Sequence, residues 1–164
     1  NEKLIEGMYS FRNKSYEIVF VTGNSYYEKI KNKRLPKNVF LFPFIYEMPA
    51  LMKCTDVMVS RAGASTMSEI TALGIPTIFI PSPYVTNNHQ YKNAMDLVNK
   101  DAALLLEESK INKNNLVTMI DNLLEDKEKY NKIKKNLSKL CIKDSSSRIY
   151  NLLKEMIIND RKFY

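Results

Sequence analysis

The sequence predicts one α/β domain, a parallel sheet covered by helices on both faces, followed by a helical tail. Three observations predict it. Short, almost wholly apolar runs alternate with single helical patterns as far as Glu108, as in strands buried on both faces and joined by crossover helices. From about Ile111 the pattern is helical to the end. A chain of 164 residues that is 45% hydrophobic supplies one core and not two.

The elements follow in order. The opening NEKLIEGMYSF reads as the middle of a helix and begins with Asn1, not Met. The chain is therefore expected to be a piece of a longer protein. YEIVFVTG (16–23) is a β-branched and aromatic run closed by glycine, hence a strand and a turn. SYYEKIKNK (25–33) reads as a short helix and NVFLFPF (38–44) as the second strand. MPALMKC (48–54) is a helix with proline at a first helical position. DVMVS (56–60) is the third strand, STMSEITALG (65–74) a helix ended by Gly74, and PTIFIP (76–81) the fourth strand. HQYKNAMDLVNK (89–100) is helical, AALLLEE (102–108) is the fifth strand, and three helices fill the rest. No internal repeat, low-complexity tract or linker interrupts residues 1–164, so they are read as a single domain.

A net charge of +7 permits an anionic partner: nucleic acid, a nucleotide phosphate or an acidic membrane surface. The charge is spread along the chain, however. Its densest cluster, Lys127, Lys129, Lys132, Lys134, Lys135 and Lys139 with Glu128 among them, has helical spacing and reads as a solvated helix face. Cys54 and Cys141 stand far apart, with no CxxC and no cluster of histidines. This is neither a disulfide framework nor a zinc site and suits a reducing compartment. No apolar run approaches the roughly 20 residues that span a bilayer, and no signal peptide is visible.

Ligands of an open parallel sheet bind beyond the carboxyl ends of its strands, which singles out three loops. The first follows strand 56–60, where RAGA turns into a helix starting near Ser65 or Thr66. Only four glycines occur in the chain. Gly63 is expected to allow a backbone conformation closed to most residues and a close approach of ligand to main chain. The N–H groups of Ala64, Ser65 and Thr66, at the positive end of the helix dipole, suit a phosphate. Thr66-x-x-Glu69 also fits a capping box. Glu69 lies away from the Met67 and Ile70 face, so it could equally accept both hydroxyls of a ribose. Spacing alone leaves cap and ligand open.

The second loop, PSPYVTNNHQYKNA (81–94), is crowded with groups that donate and accept at once, as a sugar's hydroxyls require. Asn87, Asn88, His89 and Gln90 lead into the next helix, although Asn and Ser are also ordinary turn residues. His89 is the only histidine, which removes any His-rich metal site. In the third loop, FPFIYEMP (42–49), Phe44, Ile45 and Met48 form either an apolar shelf for a flat base or part of the core. No glycine-rich phosphate loop of the GxGxxG or P-loop type occurs. No paired carboxylates and no nucleophile beside a base stand together, so no catalytic residue is assigned.

Taken together, SRAGASTMSEITALGIPTIFIPSPYVTNNHQYKNA resembles the donor-binding half of the MurG family of bacterial N-acetylglucosaminyltransferases. RAGASTMSE and PYVTNNHQYKNA carry the likeness, which runs from about Tyr16 to the C-terminus and weakens past Ile111. The resemblance implies a Rossmann-like domain, one half of the two-domain GT-B architecture. It implies UDP-N-acetylglucosamine (UDP-GlcNAc) as donor and the undecaprenyl-pyrophosphoryl-muramyl-pentapeptide of peptidoglycan synthesis as acceptor, with configuration inverted. Ala64, Ser65 and Thr66 would meet the sugar and diphosphate, Gly63 would let the main chain come close, and Glu69 would hold the ribose hydroxyls. Gln90, with His89, would hold hydroxyls of the sugar. Ile45, beside Phe44, would contact uracil through its backbone. Neither cofactor nor metal is implied, and no DxD-type acidic cluster is present.

The resemblance also marks what lies outside residues 1–164. The family's GGSxG loop and first strand, and its N-terminal domain with the membrane-facing surface, acceptor site and catalytic base, are expected to be missing. The chain would then be a truncated donor domain, inert alone. The full protein would be peripheral to the cytoplasmic face of the bacterial membrane, serving cell wall, cell shape and cell division. Rival readings are a lipid glycosyltransferase, a UDP-GlcNAc 2-epimerase or a non-catalytic sugar-nucleotide-binding subunit. A nucleic-acid module, resting on the lysines alone, ranks last.

Overall fold

The computed structural model describes residues 2–112, 114–142 and 144–160. Helix α1 (Glu2–Gly7) runs into a 3-10 turn, Met8–Phe11, whose Met8 and Phe11 enter the core. Five strands then alternate with four helices: β1 (Ile18–Val21), α2 (Asn24–Ile30), β2 (Val39–Phe42), α3 (Met48–Lys53), β3 (Met58–Ser60), α4 (Ala64–Leu73), β4 (Thr77–Phe79), α5 (His89–Val98) and β5 (Leu104–Leu105). The tail consists of α6 (Asn115–Glu125), α7 (Lys127–Leu140) and α8 (Ser145–Asp160). The alternation and the three closing helices are those the sequence predicts.

Every strand pairing is parallel, and the strands form two ladders, β1–β2 and β3–β4–β5. Strand β4 is central to the second. Its Thr77, Ile78 and Phe79 are wholly buried, as the unbroken apolar run PTIFIP requires. The fifth strand is shorter than 102–108. At one end Asp101, at φ 50°, and the Ala102 N–H bonded to the Leu97 carbonyl close off α5. At the other, Glu108–Lys110 turns as a 3-10 helix. Gly74 closes α4 in the left-handed conformation (φ 66°), with the Ile75 N–H returning to the Ile70 carbonyl at 3.2 Å, a glycine C-cap.

The core runs from Phe11 and Val39 through Ile70 and Phe79 to Leu123 and Leu137. Helix α7 packs on α4 and α6 through Ile133 and Leu137 and turns its lysines to solvent. Lys132 pairs with Asp101 at 2.8 Å, and Lys127 and Lys134 flank the Tyr130 ring at 5.9 and 5.6 Å. That is the solvated face expected of the lysine cluster. Cys54 and Cys141 are free thiols. Helix α8 leaves Ile149, Leu152, Leu153 and Met156 exposed. No helix among the described residues is long and apolar enough to cross a membrane.

Candidate functional site

The candidate site lies where β3 and β4 end. Helix α4 starts one residue earlier than the sequence suggests, at Ala64, with Gly63 as N-cap and no side-chain cap. Its first intrahelical bond runs from the Met67 N–H to the Gly63 carbonyl at 2.9 Å. The N–H groups of Ala64, Ser65 and Thr66 thus precede the ladder and have no acceptor among the described residues, as at any helix start. Their partial positive charge faces out of the chain.

One expectation about this loop is corrected, and one of its two open alternatives is closed. Gly63 does not hold an unusual conformation: its φ of −74° and ψ of 143° are ordinary extended values. A Cβ there would meet nothing nearer than Thr66 Oγ1 at 3.9 Å, so neither the turn nor this chain's packing demands glycine. The capping-box reading also fails. Thr66 is the third helical residue and not the N-cap, so Glu69 lies a turn beyond the position from which a carboxylate reaches back to the cap. Glu69 is exposed and has no side-chain partner among the described residues.

Two bonds join the segment between β3 and α4 to the β4–α5 region. The Asn93 side chain donates to the Ala62 carbonyl at 3.2 Å, and the Arg61 guanidinium donates to the Ile80 carbonyl at 2.9 Å. Asn87 and Asn88 take left-handed conformations (φ 54° and 51°), which asparagine tolerates better than most residues. They turn the chain into α5, so that His89 and Gln90 open that helix. The Gln90 Oε1 accepts from the Ser82 N–H at 2.9 Å, leaving its amide NH₂ outward as a donor. His89 Nδ1 donates to the Thr86 carbonyl at 2.9 Å, which leaves Nε2 as an acceptor. Each side chain keeps one polar function for a ligand, not the two that composition alone suggests.

Phe44 and Ile45 stand beyond β2, at the end of the other ladder. Phe44 is 59% exposed, edge-on to the 90%-exposed Tyr46 at 5.1 Å, so the core alternative is excluded for it. Met48 opens α3 and packs on the core. No hydrogen bond among the described residues joins Phe44 or Ile45 to the α4 and α5 loops. Their link is α3, which packs against α4. Among the described residues, no three His, Cys, Asp or Glu side chains gather as a metal site. The polar groups on offer are backbone N–H groups and an amide, which donate, and a carboxylate, which accepts.

One contributor escaped the sequence reading. Arg61 pairs with Glu108 at 2.5 Å while holding the Ile80 carbonyl. A single guanidinium thereby ties together the ends of β3 and β4 and the turn after β5.

Comparison with known proteins fits this geometry. Residues 2–149 match the model of the glycosyltransferase family 28 C-terminal domain. The chain belongs to that family. It is 44% identical over 160 residues to the UDP-N-acetylglucosamine–N-acetylmuramyl-(pentapeptide) pyrophosphoryl-undecaprenol N-acetylglucosamine transferase of Bacillus pumilus (strain SAFR-032), covering 95% of this chain and 44% of that protein. With a Bacillus anthracis protein of the same description it shares 42% identity over 161 residues, 96% of this chain and 44% of the relative. The chain thus spans less than half the length of these curated relatives.

Among solved structures, Acinetobacter baumannii MurG superposes with a TM-score of 0.79 at 19% identity, over 94% of this chain and 46% of that one. The calicheamicin glycosyltransferase CalG4 superposes with a TM-score of 0.73 at 12% identity, over 94% and 40%. These likenesses establish the fold shared with one half of GT-B glycosyltransferases. The resemblance carried by RAGASTMSE and PYVTNNHQYKNA is borne out at the level of the family.

Proposed function

We propose that this family 28 domain binds the donor of an inverting transferase, which moves N-acetylglucosamine from UDP-GlcNAc to undecaprenyl-pyrophosphoryl-muramyl-pentapeptide. The observation that carries the reading is the open start of α4. Three N–H groups face outward with a partnerless carboxylate, Glu69, one turn further on. An anion at that start is favoured by the free donors and the dipole together. Glu69 then stands where it can accept both hydroxyls of a ribose joined to the diphosphate.

In this scheme the acceptor's muramyl 4-hydroxyl attacks the anomeric carbon from the face opposite UDP. The new C–O bond forms as the bond to the diphosphate breaks, and the hydroxyl proton passes to a base outside this chain. Ala64, Ser65 and Thr66 stabilise the charge arriving on the diphosphate, an electrostatic contribution fixed in place before reaction. Gln90 donates to a sugar oxygen, His89 Nε2 accepts a sugar hydroxyl, and Ile45 presents its backbone to the base beside Phe44. Gly63 stays bare because a Cβ, harmless to the chain, would meet the donor.

The strand order supports the domain assignment. A doubly wound sheet runs 3-2-1-4-5-6, and deleting strand 1 leaves 3-2 and 4-5-6. Those are the two ladders observed, β2–β1 and β3–β4–β5. On this reading a preceding strand joins the ladders, and the acceptor site and a peripheral seat on the cytoplasmic membrane face belong to the rest of the protein.

Calorimetric titration of the chain with UDP-GlcNAc, UDP-glucose and UDP, for wild type and Glu69→Ala, tests the proposal. Binding that prefers the N-acetyl sugar and weakens in the variant is expected. Equal binding by wild type and variant removes the ribose role, and preference for another sugar removes the donor assignment.

A further inference from the structure

A cleft of about 670 Å³ lies away from the strand carboxyl ends. It is lined by residues 12–14, which precede β1, and 34–38, which precede β2, with Tyr9 alongside. Because β1 and β2 are parallel and pair from Ile18 with Val39, the cleft opens at their amino ends. Each strand has four residues, so roughly 13 Å separates this cleft from the opposite end of the ladder, where Phe44 and Ile45 follow β2.

Its walls are held by the chain itself. Asn38 donates to the carbonyls of both Phe11 and Tyr16 at 3.0 Å, and the Tyr9 hydroxyl donates to the Arg34 carbonyl. Asn13, at φ 65°, turns the first wall. The charge is one-sided: Arg12, Lys14, Arg34 and Lys37 line the cleft, and no carboxylate does. Lys14 is neutralised from behind by Asp121 at 2.7 Å. Arg12, Arg34 and Lys37 form no ion pair among the described residues, and the fold brings these like charges to one concave surface. Two guanidiniums and an ammonium around a hollow match an oxyanion with several acceptors, because each guanidinium presents paired N–H donors.

We propose that this cleft is a second ligand site, taking a phosphate-bearing group at the end of β1–β2 opposite the donor loops. The group belongs either to a free phosphate compound or to an anionic lipid headgroup, and neither would compete with a ligand at α4. The volume, within the range of small-molecule pockets, admits a phosphate together with the group that carries it.

The test is an amide-resolved NMR titration of the chain with inorganic phosphate and pyrophosphate, beside flotation with phosphatidylglycerol or phosphatidylcholine vesicles. Wild type is compared with an Arg12→Ala/Arg34→Ala double variant and with a Lys127→Ala/Lys134→Ala control on α7. Thermal melting confirms that each is folded. Shifts at residues 12–14 and 34–38 with pyrophosphate, weakened at least tenfold in the cleft variant only, establish the site for free phosphates. Loss of phosphatidylglycerol binding in the cleft variant only, without such shifts, assigns it to a headgroup. Shifts confined to Ala64–Thr66, equal losses in the two double variants, or no response to either ligand overturn the proposal.

Discussion

The two ladders of this domain are made of similar residues and are buried very differently. In β3–β4–β5 the central strand is sealed, with Ile78 and Phe79 fully inaccessible. In β1–β2 one face, Ile18, Phe20 and Val39, meets the core, while Val19, Phe40 and Phe42 remain 39%, 41% and 41% exposed. The difference assigns a task to each. A strand fixed on both faces holds the loops that follow it to a set geometry, and the RAGAST and TNNHQ loops hang on that ladder. A two-stranded ladder is marginal alone and depends on its neighbours, here in part through Lys14 and Tyr16, which reach Asp121 on α6 at 2.7 and 2.9 Å.

The largest test of this contrast is stability. Phe79→Ala empties a sealed site and is expected to cost about 3–5 kcal/mol, whereas Phe40→Ala, already partly solvated, is expected to cost about 1–2 kcal/mol. Urea unfolding of both variants measures it. Similar losses would mean that the first ladder is as firmly seated as the second.

Donor affinity sharpens the same contrast. Glu69→Ala removes a charged hydrogen-bond acceptor worth about 1.5–3 kcal/mol, a loss of roughly 10- to 100-fold in UDP-GlcNAc affinity. Phe44→Ala, on the β2 side, is expected to lose only about threefold, an exposed ring face against a base being worth about 0.6 kcal/mol at such a rim. If Phe44→Ala proves the more damaging in the titration, the first ladder carries the binding energy and the assignment of tasks is reversed.

Gly63→Ala separates packing from ligand approach. With φ at −74° and a nearest contact at 3.9 Å, the substitution is expected to leave stability equal or higher by about 0.4–1 kcal/mol. It is expected to lower donor affinity about tenfold through contact with the diphosphate, a change of about 1.4 kcal/mol. A melting scan and a titration of the same sample decide it. Unchanged affinity would show that nothing approaches the main chain there.

The pattern of these expectations follows what a sequence can carry. The alternation of apolar runs and helices, Gly74 as a helix stop and the solvated lysine face were legible because each rests on local chemistry. Thr66-x-x-Glu69 stayed open between cap and ligand because the spacing of a capping box does not say which residue is the N-cap, and the helix begins two residues before Thr66. Phe44 was ambiguous because VFLFPF (39–44) is apolar throughout, while a strand shows alternate residues to opposite faces. The Arg61–Glu108 pair was invisible, since its members meet only when three strand ends are brought side by side. The family was legible from its motifs, and geometry then narrowed what each candidate residue can offer.

That ion pair supplies the most specific test. Each ladder has one partly exposed pair, Arg61–Glu108 at 2.5 Å in the second and Lys14–Asp121 at 2.7 Å joining the first to α6. Breaking the partly exposed Lys14–Asp121 pair by Lys14→Gln is expected to cost no more than about 1 kcal/mol of stability. Arg61→Gln takes the guanidinium from the buried Oε2 of Glu108 and is expected to cost about 1–3 kcal/mol. Their effects on donor affinity should differ. Arg61 fixes the ends of the two strands that carry the α4 and α5 loops, so loosening it spreads Gly63 and Gln90 over more positions. About a threefold loss of affinity is expected, or roughly 0.6 kcal/mol. Arg61→Lys should not restore it, because an ammonium cannot reach Glu108 and the Ile80 carbonyl as a rigid fork does. Lys14→Gln should leave donor affinity unchanged. Equal losses in both variants would show that the loops are positioned by the domain as a whole and not by the ladder to which they are attached.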